Sequence, residues 1–163
     1  MKRGGCLLMI LGLVAAIATI VVLTLNGVLV MDYSGVRFDG CGQQTTSYLV
    51  DGTKQIEVQS CTAPDFPTSI PLLQGRIVDS MKEIGDNGYQ RFDVIMTTSD
   101  LDGAQGSIST QLTAAGYHSV DNNDTSTPHV VFENDTYKIY LTFTEGGPHG
   151  DTVEYYIVPA GAQ

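Results

Sequence analysis

The sequence predicts an α+β protein: an N-terminal single transmembrane helix, then an extracytoplasmic domain of two helices packed on a mostly antiparallel sheet. Three observations carry this prediction. Residues 4–31 run for 28 positions without a charged side chain, directly after Met1-Lys2-Arg3. Two stretches, 70–84 and 101–115, repeat apolar residues at three- and four-residue steps. Alternating segments meet across the turn dipeptides Asp51-Gly52 and Asn134-Asp135.

The charge-free run comes first because it sets the topology of the rest. A helix of that length rises ~42 Å, more than the ~30 Å hydrocarbon core of a bilayer. Only Thr19, Thr24 and Asn26 interrupt it before Asp32. A cleaved secretory signal is the alternative, and Ala16-Ile17-Ala18 resembles a cleavage site. Cutting there would leave an apolar N-terminus beginning at Thr19, so the length favours an uncleaved signal anchor. Lys2 and Arg3 keep the short flank cytoplasmic and place the C-terminal part outside. Cys6 precedes the apolar run, the wrong order for a lipoprotein cysteine, and reads as an inert thiol. Gly5, Gly12, Thr19 and Asn26 recur at sevens, with Ala15 and Ala16 close to the same stripe. Small and weakly polar groups on one face let helices approach closely in lipid, so this stripe is the expected helix-packing surface.

The expected division is 1–31 as cytoplasmic start and signal anchor, 32–45 as juxtamembrane linker, and 46–163 as the extracytoplasmic domain. All 18 acidic residues lie beyond Met31 against six basic ones, a balance of −12. Such a surface repels nucleic acid and anionic headgroups, and suits basic partners or cations. Two of the three cysteines, Cys41 and Cys61, fall on this side. In an oxidising compartment an isolated pair forms a disulfide.

Within the domain, Ser47 to Val50 meets Lys54 to Val58 across Asp51-Gly52 as a hairpin. The first helix is predicted from Ile70, Leu73, Ile77, Met81 and Ile84, with Ser69 as its N-cap and Gly85 as its stop. Phe92, Val94 and Met96 alternate as a strand. Ser99-Asp100-Leu101-Asp102 opens a second helix, whose stripe is Leu101, Ala104, Ile108, Leu112 and Ala115. Tyr117 to Val120 is a short strand. A second hairpin turns at Asn134-Asp135, and a last strand covers Thr152 to Val158. The expected order is ββαβα(β)βββ.

No pattern assembles a catalytic centre. His118, His129 and His149 lack the spacing of helical metal ligands. His149 with Glu145 and Asp151, and the run Asp121-Asn122-Asn123-Asp124, are the best cation candidates, but both read as solvated turns. Gly103-Ala104-Gln105-Gly106-Ser107 lacks the lysine and spacing of a phosphate loop. Neither a metal nor a cofactor is expected. Asn123 and Asn134 begin glycosylation-type triplets that read as coincidence in a bacterial host, the second occupying the predicted hairpin turn where Asn and Asp are wanted for φ alone. Tyr137, Tyr140, Tyr155 and Tyr156 concentrate near the C-terminus, and adjacent Tyr155 and Tyr156 must face opposite sides of a strand.

The expectation is a non-catalytic accessory subunit of a larger membrane complex, with respiratory and transport assemblies the natural hosts. Its partners would be other membrane protein subunits, met by the helix and the outer domain, with no nucleic acid. The alternative is a free-standing anchored binding module for a ligand, cation or peptide. Protease added to sealed, right-side-out cells should remove the domain; full protection would overturn the topology.

Overall fold

The computed structural model describes residues 37–39, 41–121 and 130–161. The charge-free run and its stripe of Gly5, Gly12, Ala15, Ala16, Thr19 and Asn26 lie outside these residues. No helix among the described residues is long and apolar enough to cross a membrane.

The described residues form one nine-stranded antiparallel sheet and one helix. The strands are β1 (Arg37–Asp39), β2 (Gly42–Tyr48), β3 (Lys54–Val58), β4 (Ile77–Ile84), β5 (Gln90–Thr97), β6 (His118–Val120), β7 (Val130–Glu133), β8 (Tyr137–Gly147) and β9 (Gly150–Pro159), with α1 (Leu101–Ala114) between β5 and β6. Their spatial order is β1-β2-β3-β4-β5-β9-β8-β7-β6. The sheet is therefore two meanders. The first runs outward from β1 to β5. Helix α1 then carries the chain to the far edge, and the second returns from β6 until β9 pairs with β5. The sheet starts at Arg37, inside the stretch expected to be a linker.

The expectation of two helices on the sheet is corrected to one. Residues 77–84 of the first predicted helix are strand β4, and 70–76 belong to an irregular segment leading into it. The reason is a β-bulge. Ile77 pairs with Met96 while Asp79 pairs with Ile95, so Val78 is an extra residue and side-chain parity switches there. Beyond the bulge Ser80 and Lys82 fill inward positions opposite Val94 and Phe92, and Met81 faces the other way. A strand with polar inward residues and a parity switch shows no period of two. Its apolar residues happened to fall at helical spacing, against which Pro71 and Gly75 stood as the only warning.

Irregular backbone performs the task assigned to that helix. The segment between β3 and β4 folds over one half of the sheet and is pinned at five points. A disulfide joins Cys61 to Cys41, with Cα atoms 5.1 Å apart. The Ala63 N–H donates to Ser80 Oγ at 2.9 Å. Phe66 meets Phe92 edge-to-face, with ring centroids 5.7 Å apart. Ile70 is buried in the core. The Leu73 N–H donates to the Tyr155 hydroxyl at 3.0 Å. Burial pushes that phenol up to about 12.

Lys82 reaches out along the same cover, its ammonium 2.9 Å from the Asp65 carboxylate and 5.6 Å from the Phe92 ring centroid. The hydrogen bond and charge of Lys82 hold the Asp65 carboxyl below its ordinary value. The stem of Lys82 is buried while its head is led to a surface carboxylate, the usual way a lysine enters a core.

Helix α1 covers the other half through Ala104, Ile108 and Leu112. Asp100 caps it by accepting from the Gly103 N–H at 2.9 Å. A Cβ at Gly103 would collide with that carboxylate, so this interior glycine serves the cap. Ala104, Ile108 and Leu112 join Val94, Ile139, Leu141, Val153, Tyr155 and Ile157 in one core. Gly52 in the β2–β3 turn has φ +84 and lies against Asp86 in the β4–β5 turn, so two hairpin tips touch where a side chain would not fit.

Tyr155→Phe strips the Leu73 N–H of its acceptor and should cost ~1–3 kcal/mol, seen as a lower urea midpoint of the full chain. Replacing Cys41 and Cys61 by Ser should cost ~3 kcal/mol on the chain-entropy account. An unchanged midpoint in either variant would show that the cover does not depend on that pin.

Candidate functional site

Both covers lie on the same face of the sheet. Among the described residues no element packs on the opposite face, and its chemistry is unlike that of the core. The pairing registers place Glu83 beside Arg91, Met81 beside Asp93, Asp93 beside Tyr156, and Tyr156 beside Tyr140. Neighbours on this face come from strands far apart in sequence, so the sheet assembles two zones that share β5 and β9.

The first zone is a ladder of polar and aromatic groups. The Gln55 amide donates to Glu83, and Glu83 forms an ion pair with Arg91. Arg91 Nη1 donates to the Tyr156 hydroxyl at 3.1 Å, and the guanidinium lies 5.6 Å from that ring's centroid. The Tyr156 and Tyr140 rings stand 5.8 Å apart at 54°. Lys138 Nζ lies 5.5 Å from the Tyr140 centroid. The chain of contacts thus crosses β3, β4, β5, β9 and β8. Glu83 is almost fully buried and supplies the hydrogen bond that holds Arg91 above its ordinary value. Cation–π contacts and an Arg–carboxylate pair stiffen long side chains that would otherwise be free.

The second zone is acidic. Asp79 and Glu154 flank Ile95 from the two neighbouring strands, and Asp93 lies two residues along β5 on the same face. Asp79, Asp93 and Glu57 line a hollow of about 220 Å³ with Ser80, Met81 and Ile95. Burial is the largest cause pushing the Asp93 carboxyl up to about 7, reinforced by Glu154 and Asp79 against the pull of Arg91. Burial also raises Asp79, and burial followed by the Asp79 charge raises Glu57. An adjoining hollow of about 400 Å³ is lined by Arg76 and His149 together with Glu57 and Asp79.

The residues singled out in the sequence are placed as follows. Cys41 and Cys61 are joined. Asp151 Oδ1 accepts from the Gly146 N–H at 2.9 Å and closes the β8–β9 turn. His149 lines the hollow beside Arg76, and no group of three metal-ligating side chains converges among the described residues. Most of 121–124 and His129 lie outside the described residues. Asn134 is committed to its turn, its Oδ1 accepting from the N–H groups of Thr136 and Tyr137 at 2.9 Å. The start of α1 is occupied by the Asp100 carboxylate, which is unfavourable for an anion. Tyr155 faces the core and Tyr156 the uncovered face. Sequence reasoning missed Arg91, Glu83, Asp93 and Glu154. Alternation within β5 could have put Arg91 and Asp93 on one face, but strand order was needed to bring Glu154 to them. Comparisons with protein-family models, with curated proteins and with solved structures return no match.

Proposed function

We propose that the chain is a membrane-anchored, non-catalytic accessory subunit, whose outer domain meets a partner subunit through the uncovered face of its sheet. The observation that carries this reading is the placement of both covers on one face, with the Arg91–Tyr156–Tyr140–Lys138 ladder on the other. Tyrosine and arginine, held in place before contact, are the side chains that contribute most at protein interfaces. The charge-free run 4–31 supports an anchor of spanning length. A helix stripe of Gly5, Gly12 and Ala16 suits packing on a partner's helix. The acidic balance of the domain disfavours a nucleic-acid or headgroup role.

A second reading, a free-standing binding module, is favoured by one feature. A cleft of about 310 Å³ at one end of the sheet is lined by Tyr89, Phe92, Tyr137 and Pro159 with Asp65 at its edge. Aromatic walls suit a small organic ligand, the Asp65 carboxylate being already paired with Lys82.

Extraction of native membranes in mild detergent, followed by sizing, separates the two readings. Co-migration with a large assembly is the expected result, and a lone small species favours the binding module. Tyr140→Ala should weaken co-purification by ~2 kcal/mol, roughly thirtyfold, if the ladder is the contact. Full retention by Tyr140→Ala together with Lys138→Glu would remove the sheet face from the interface.

A further inference from the structure

The uncovered face crosses a seam. The first meander ends in β5 and the second in β9, and the pairing of these two strands is all that joins the half-sheets within the sheet. Asp93 stands on one side of this seam and Glu154 on the other. The register sets them diagonally across the seam on one face, Asp93 opposite Tyr156 and Glu154 opposite Ile95. Asp93 Oδ1 is shut off from solvent and receives no donor from any other group among the described residues. Two carboxylates brought together in this way repel each other unless one holds a proton, which then bonds to the other. Arg91 is the nearest cation on the same strand, but Glu83 and Tyr156 already engage its guanidinium. From β4 the facing group is Asp79, and beyond the hollow lies Glu57, both adding negative charge. Tyr156 stands directly opposite Asp93 on β9. Arg76 and His149 sit farther out, beside Asp79 and Glu57.

We infer that one proton shared between Asp93 and Glu154 fastens the β5–β9 seam, making the junction of the half-sheets a pH-sensitive element that tightens on mild acidification and loosens above neutrality. The folded domain binds this proton more strongly than the unfolded chain, since the Asp93 carboxyl rises from 3.8 to about 7. A group raised in the folded state contributes its stability below the unfolded value and loses it as pH climbs through the folded one. Stability should therefore fall between about pH 4 and about pH 7 and level off above. Asp79 and Glu57 shift in the same direction and add to the slope.

The test is urea unfolding of the full chain in mild detergent, from about pH 5 to about pH 8. The folding constant of the unaltered protein should drop by at least about tenfold over that range. Asp93→Asn, which mimics the protonated carboxyl, should lose most of that dependence and exceed the unaltered protein in stability at the alkaline end. Glu145→Gln, on the exposed part of β8, should leave the profile unchanged. A ¹³C titration of the Asp93 carboxyl in the unaltered chain reports the same proton without any substitution. Midpoints for Asp93→Asn that track the unaltered protein across the range, or an Asp93 carboxyl titrating at its ordinary acidic value, would overturn the inference.

Discussion

A nine-stranded sheet has two faces to satisfy, and the described residues offer little material with which to cover them. One helix and one irregular segment must bury a surface that ordinarily takes several helices. They do so by sharing one face, α1 over the second meander and the 59–76 segment over the first. Every unusual feature of the first half follows from that division. An irregular cover exposes backbone N–H groups that a helix would have satisfied internally, so the sheet supplies acceptors for them. Ser80 and Tyr155 are those acceptors, which is why a serine hydroxyl and a phenol are buried within an otherwise apolar core. Lys82 is a further accommodation, its charge led outward to Asp65 under the Phe92 ring.

The other face follows a different rule. Where no described element packs, the side chains satisfy one another laterally, strand to strand, and the units are cross-strand pairs. Five strands contribute to the Gln55–Glu83–Arg91–Tyr156–Tyr140–Lys138 chain. The result is a rigid, polar and aromatic surface at the centre of the domain, with a carboxyl-rich hollow along its flank. Order of this kind, maintained away from the core, lowers the entropy these side chains would lose in any contact.

Legibility in the sequence tracked how local each determinant is. Helix α1 was readable because its cap and its stripe lie within a few residues of each other. The Asn134-Asp135 turn was readable for the same reason, and the Cys41–Cys61 pair by elimination. Strand β4 was not readable, because the bulge at Val78 breaks its alternation and because Ser80 and Lys82 are inward only by virtue of partners in a distant segment. The uncovered face was hidden further still. Glu83 and Arg91 are close in sequence, but Glu154 and Tyr156 reach them only once β9 has been threaded next to β5. That placement depends on topology and has no signature within either strand.

The threading also has a temporal side. Synthesis finishes β1 to β5 while β9 is still to be made, and hairpins of the first meander can close as they emerge. During that interval the free edge of β5 presents a row of unpaired N–H and C=O groups along Phe92, Val94 and Met96, a template on which another chain could pair. Closure requires a long excursion through α1 and the second meander, the kind of distant pairing that slows folding. The half-finished sheet is thus the vulnerable form of this protein. The charged residues set along that edge, Arg91 and Asp93, are gatekeepers during the wait as well as members of the finished face.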